Sequence, residues 1–199
     1  MKKLLLIVVL AVLPCLTIQA QSDSGDFTIS PQIGVNLSTY SSDATYNSRI
    51  SFAAGVIGEY YFSDRWSLRS GLLYNPMGAE DGLNIVDKLN YLTIPLNANW
   101  HFGKKRNWYL NFGPAVSFLL KAESEFPDGN TLDVKDVVSS LDVGLVVGIG
   151  YKFDVAENFQ LNIDYQGYGG FIDIDDANNL PFSITNSRSS FNIGGVFSL

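Results

Sequence analysis

From Leu141 to Phe153 the chain alternates almost without error. Leu141, Val143, Leu145, Val147, Ile149, Tyr151 and Phe153 take one parity, and Asp142, Gly144, Gly148, Gly150 and Lys152 the other. A period of two is the period of a β-strand, whose successive side chains point to opposite faces. The pattern excludes a helix here and gives the segment one oily and one polar side. Seven further segments read the same way: 27–38, 50–62, 66–75, 89–102, 108–121, 159–166 and 188–199. Almost no segment has a helical period.

The connections between the eight segments are unequal. Residues 63–65, 103–107 and 154–158 are short polar turns, whereas 39–49, 76–88, 122–140 and 169–187 are longer. Short turns on one side and long loops on the other mark an outer-membrane barrel, with the turns in the periplasm. Three turns and four loops require eight strands. The predicted fold is therefore all-β: an eight-stranded antiparallel up-and-down transmembrane barrel, placed in the cell outer membrane. Tyr60, Phe62, Trp66, Trp100, Phe102, Trp108, Tyr151, Phe153 and Phe159 gather at the strand ends near the short turns. A soluble sandwich has no use for such a ring. A bilayer interface does, because amphipathic aromatic rings settle at headgroup level.

Both ends of the chain fit this reading. Lys2 and Lys3, the apolar run Leu4–Leu13 and Ala20 have the layout of a signal peptide over residues 1–20, leaving a barrel domain over 21–199. Cys15 follows Pro14, which disfavours lipidation. The terminal strand places Phe191, Ile193, Phe197 and Leu199 on one face. Asn192, Gly194, Phe197 and Leu199 fit the C-terminal signal that the barrel assembly machinery reads during insertion.

The polar parity of these strands carries charge: Glu59, Arg69, Lys121, Asp142, Lys152 and Asp164. Eight strands enclose a space that side chains fill. An unpaired charge there would cost several kcal/mol, so these six are expected to form a lumen network. Glu59 with Arg69, and Lys152 with Asp164 or Gln160, are the predicted pairs. Gly144, Gly148 and Gly150 leave room for large inward neighbours such as Tyr61, Tyr109 or Tyr168. Pro31, Pro95 and Pro114 lie within strands and predict bulges or local breaks.

Tyr91-Leu92-Thr93-Ile94-Pro95-Leu96 resembles the Y-L-x-I-P-L segment of the PorT-like outer membrane β-barrel family. Gly71–Gly78, Leu110–Pro114, Ile33–Asn36 and the glycine-rich last strand fit the same family. The resemblance implies an eight-stranded barrel in a Gram-negative outer membrane and carries over no catalytic or ligand residue. Thr93 and Asn97 depart from its commonest form.

Residues 21–199 hold 11 basic and 20 acidic residues, a formal charge of −9 that repels nucleic acid. The sole His, His101, falls by the Gly103 turn with no evident Ser–acid partnership, and no catalytic, cofactor or metal residue is expected. Asp173, Asp175 and Asp176 could gather divalent cations, but solvated acidic loops are commoner. The expected role is non-enzymatic: loops that bind outside the cell, or a wall that docks an envelope or secretion partner. The alternative is a porin-like narrow channel for small or apolar solutes. Outer membrane lipid is the expected surround in either case.

Overall fold

The computed structural model describes residues 24–176 and 181–199. The expected signal peptide lies outside these residues. The strands are β1 (Phe27–Ser41), β2 (Asn47–Ser63), β3 (Trp66–Met77), β4 (Ala79–Glu80), β5 (Val86–Phe102), β6 (Trp108–Glu125), β7 (Thr131–Asp133), β8 (Leu141–Ala156), β9 (Phe159–Gly170) and β10 (Thr185–Ser198). No helix among the described residues is long and apolar enough to cross a membrane. The eight long strands instead pair antiparallel in chain order, β1-β2-β3-β5-β6-β8-β9-β10, and β10 pairs back to β1 from Thr28↔Ser198 to Ser41↔Thr185. The sheet is thus a closed cylinder with no free long edge, as the alternation predicts.

Its burial is the reverse of a soluble protein's. Phe52 is 77 % exposed, Ile50 68 % and Ile33 64 %, while Asn36, Asn99 and Asn111 are wholly buried. Soluble monomers rarely expose contiguous apolar patches above a few hundred Å². Here the apolar face runs around the whole wall, and only a hydrocarbon surround makes that favourable.

The long strands run 12 to 18 residues, beyond the roughly 9–11 that a bilayer needs. The barrel therefore projects past the membrane on its long-loop side, and the loops are shorter than the sequence suggests. The first connection is only 42–46. Short β4 and β7 are hairpin additions at that outer end.

The prolines interrupt the ladders without shifting them. Neither Ser30 nor Pro31 pairs with β10, and the register is the same on both sides of the gap. Gly71 and Leu72 of β3 likewise have no partner opposite Pro95 and Ile94. Register shifts lie elsewhere: two beside short turns, at 61–63 and 154–156, and one at the outer end, where Asn90 pairs with Lys121 but Tyr91 with Leu119.

Candidate functional site: the lumen network and the outer mouth

The shift at Asn90 and Tyr91 decides the fate of one expected lumen charge. An extra residue in one strand flips the facing of everything beyond it. Leu119 points inward, Leu120 and Lys121 both point out, and Ala122 is buried again. Lys121 therefore lies on the outer surface, paired with Glu123 at 2.7 Å, and is no part of the lumen. The other five, Glu59, Arg69, Asp142, Lys152 and Asp164, are buried inside.

Their pairing differs from the sequence expectation. Glu59 and Arg69 are direct cross-strand neighbours, yet neither bonds the other. Glu59 Oε2 instead accepts from Lys152 Nζ at 2.7 Å. Arg69 Nη1 donates to Asp164 Oδ2 at 3.2 Å, and Nη2 to Gln32 Oε1 at 3.0 Å. Around the barrel β2 and β8 stand four strands apart, as do β3 and β9. Both ion pairs therefore span the lumen along a diameter. A barrel this narrow lets long side chains meet across the axis, where they escape the crowding between neighbours. Tyr109 lies between the two pairs. Its hydroxyl donates to Asp164 Oδ2 at 3.0 Å, and the Arg69 guanidinium sits 5.6 Å from its ring centre. Lys152 also bonds the Tyr61 hydroxyl. A Cβ on Gly150 would overlap the Tyr109 ring, and one on Gly144 would lie 2.6 Å from the Tyr168 ring, so the inward glycines make space for these tyrosines.

Glu59 gathers more. Ser67 Oγ donates to its Oε1 at 2.5 Å, Asn99 Nδ2 at 3.0 Å, and His101 Nε2 lies 3.0 Å from both Oε1 and Ser67 Oγ. His101 thus has the serine and acid neighbours that its sequence position did not reveal. The arrangement differs from a nucleophile relay, in which the base takes the hydroxyl with one ring nitrogen and the acid with the other. Here one nitrogen faces both, and the serine hydroxyl bonds the carboxylate directly. All three residues are buried. Their chemistry is that of a satisfied polar cluster.

Arg188 is a further buried charge, 5.4 Å from the Tyr168 ring centre. Its parity with Ser190 and Asn192 was the available signal. Asp142 accepts from Asn186 Nδ2 at 2.9 Å. Between these layers, a gap lined by residues including Gln32, Asn75, Gln166 and Arg188 has a volume of about 10 Å³, room for about one water.

The outer part of the interior holds an apolar cluster. Tyr40, Met77, Leu89, Tyr91, Leu119, Val146, Tyr168, Ile174 and Ile184 form one buried cluster. Ile174 and Ile184 belong to the last connection, described over 171–176 and 181–184, and both turn inward. Val138 bridges to Asp175, and Ser139 N donates to Ile174 O at 2.9 Å, so this loop is tied to the loop before it. Asp173 holds the fold locally. Slight burial would raise its pKa, but N–H donation from Ile184 and Asp175 outweighs that and holds the carboxyl below the usual aspartate range. Among the described residues no group of three His, Cys, Asp or Glu could hold a metal.

Segments 41–49, 78–88, 121–140, 171–176 and 181–186 form the outer end. Together they carry twelve acidic residues against four basic ones. The short turns 63–65, 103–107 and 154–158 carry three against four. The net charge of the protein is thus concentrated at one mouth.

At the other end, Trp100, Phe102, Trp108, Tyr151 and Phe153 touch in sequence, with ring centres 5.3, 6.2, 4.9 and 4.6 Å apart. Tyr60, Phe62, Trp66 and Phe159 lie on the same outer edge, and Phe159 packs on Phe197 at 4.9 Å. In the last strand, Asn192 Nδ2 donates to Asp164 Oδ1 at 2.7 Å. Gly194 lets Asn162 and the Pro31 carbonyl approach, and Leu199 N donates to the Phe27 carbonyl at 3.1 Å.

A closed eight-stranded wall with an oily exterior, an aromatic edge and a polar filling defines an outer-membrane barrel protein. The chain belongs to the outer membrane protein beta-barrel domain family, whose profile matches residues 19–176. Solved structures share the fold. OprG of Pseudomonas aeruginosa superposes with a TM-score of 0.59 at 15 % identity, covering 92 % of this chain and 99 % of OprG. Neisserial surface protein A gives 0.53 at 19 %, covering 85 % and 94 %. Ail of Yersinia pestis, solved with the heparin analogue sucrose octasulfate, gives 0.50 at 16 %, covering 88 % and 99 %. No curated protein matches the chain in sequence. The protein resides in the outer membrane.

Proposed function

We propose that this is a non-enzymatic barrel whose lumen is plugged and whose working surface is its outer mouth, where the loops bind a ligand or dock an envelope or secretion partner. The observation that carries this is the double filling of the lumen. Two diametric ion pairs bridge the inner part, and the Tyr91–Tyr168–Ile174 cluster fills the outer part. Both layers fill the bore with buried side chains, so the cylinder acts as a rigid stand for its loops. Residues 91–96, with the segments around them, support placement in the PorT-like group, whose namesake takes part in secretion. The outward Phe197 and Leu199 support recognition of β10 by the assembly machinery. The acidic mouth does not favour a sulfated sugar such as the sucrose octasulfate solved with Ail, because like charges repel.

The channel alternative has one feature in its favour. An apolar depression of about 330 Å³, lined by Pro31, Ile33, Leu161, Ile193, Gly194 and Gly195, opens on the outer wall at the interrupted β1–β10 ladder. Planar-bilayer recording tests between the readings. The plugged barrel gives no reproducible open level, and a steady conductance that disappears in a loop-locked control would transfer the argument to transport.

A further inference from the structure

One cavity sits within the acidic mouth. It has a volume of about 200 Å³ and lies beside the rims of β1, β5 and β6. Its walls are Tyr40, Tyr46, Val134, Val138, Ile174 and Ile184. Tyr40 and Tyr46 meet edge to face, with ring centres 5.1 Å apart. Asp87, Ser124 and Asp175 are its polar lining residues, and Asp87 is the carboxylate held by side-chain hydroxyls. The Tyr40 hydroxyl donates to its Oδ2 at 3.1 Å and Ser124 Oγ to its Oδ1 at 2.6 Å. Among the described residues no Lys or Arg nitrogen lies within ion-pair distance of it. Its chain neighbour Lys88 pairs with Glu125 instead, and Arg49 donates to the Met77 carbonyl at 2.6 Å. Asp87 is thus a half-buried carboxylate, fixed in place by two hydroxyls and left without a cation.

We infer that this cavity binds a small organic cation: an ammonium head on Asp87 and an apolar or aromatic body between Tyr40, Tyr46 and the loop isoleucine side chains. Each element is needed. A half-buried carboxylate lacking a counter-ion lowers the energy of any cation that can reach it, more so than one in open water. Tyrosine faces attract cations and pack apolar groups alike. The mouth's excess of acidic over basic residues concentrates cations before they dock. The size suits a ligand below the drug-sized range of about 300–1,000 Å³. An inorganic cation would gain little from the apolar walls, and a neutral hydrocarbon would leave Asp87 unpaired and lose its contact with water. The inference rests on the mouth being the working surface and names what that surface takes.

The test uses the folded full-length barrel in detergent micelles, with folding verified by the gel shift between heated and unheated samples. Titration calorimetry with 2-phenylethylammonium should give saturable binding. Its uncharged counterpart, 2-phenylethanol, should bind at least tenfold more weakly to the same protein. Asp87→Asn, which preserves shape, should weaken the ammonium at least tenfold and leave the alcohol unchanged. Val138→Trp, which fills the bowl, should abolish both. Equal binding of ammonium and alcohol, undiminished binding to Asp87→Asn, or no saturable binding to folded protein would each overturn the inference. The comparison of the two probes on unaltered protein does not depend on any variant folding. None of these failures would disturb the plugged lumen, which conductance reads separately.

Discussion

Removing Lys152 isolates the question of which charges hold the lumen together. Lys152→Met takes away the cation 2.7 Å from Glu59 and leaves that carboxylate buried. Breaking a buried pair by deleting one partner costs about 3–5 kcal/mol. Glu59 keeps Ser67, Asn99 and His101 as neighbours, which puts the expected loss near the lower end, about 3 kcal/mol. Adding Glu59→Gln removes the orphaned charge, so the double variant should recover most of the loss. The cycle should therefore show a coupling of about 2–3 kcal/mol between positions 59 and 152. The same cycle for Glu59 and Arg69, neighbours across one hairpin, should give less than about 1 kcal/mol, because the guanidinium is engaged with Asp164 and Gln32. Guanidinium unfolding from phospholipid vesicles, followed by the fluorescence of Trp66, Trp100 and Trp108, reads each corner. A 59–69 coupling equal to or above the 59–152 coupling would refute the diametric arrangement and restore the adjacent pairing.

Two further outcomes follow from single sites. Gly150→Ala should destabilise the barrel by about 1–3 kcal/mol through overlap with Tyr109, whereas Gly169→Ala, with open space at its Cβ, should stay within about 0.5 kcal/mol; the same unfolding assay compares them. The Asp173 carboxyl is depressed in the folded loop, so its contribution is present above the ordinary aspartate pKa of 3.8 and is lost as pH falls through the depressed value. Amide exchange at Ile184 and Asp175 should accelerate over that acid range, and Asp173→Asn should remove the pH dependence; unchanged exchange would show that the carboxylate does not hold the loop.

The wall was legible because its physics is local. Alternation in a strand needs no knowledge of what lies across the barrel, and parity alone put Glu59, Arg69, Asp142, Lys152 and Asp164 on the inward face. Lys121 was not legible, because one extra residue opposite Asn90 and Tyr91 reverses facing and nothing in Phe118-Leu119-Leu120-Lys121 marks it. The partners were not legible either. Sequence proximity suggests hairpin neighbours, but the narrow lumen brings together strands four apart, a distance of 93 residues for Lys152 and Glu59. His101 meets Ser67 on the adjacent strand β3 and Glu59 on β2, one strand further round, contacts that parity alone does not give. Arg188 could have been read by parity with Ser190. The inward fold of Ile174 and Ile184, both buried, has no periodic signature at all.

That inward fold also explains why an outer-membrane barrel carries an apolar core on the water side of its own lumen. Projecting strands lift the rim beyond the bilayer, where an open polar tube would fill with water and its loops would fray. Burying Ile174, Ile184 and Leu119 against Tyr91 and Tyr168 at about 25 cal/mol per Å² of apolar surface gives the loops a reason to close. The charged layer beneath cannot serve that purpose, because ion pairs gain little net energy once their desolvation is counted. The two layers thus divide the work. The ion pairs neutralise the charges that the strand order brings face to face across the axis, and the apolar layer holds the loops. A loop held this way forms a preorganised mouth, and the cavity over Asp87 lies at the junction between that layer and the acidic rim.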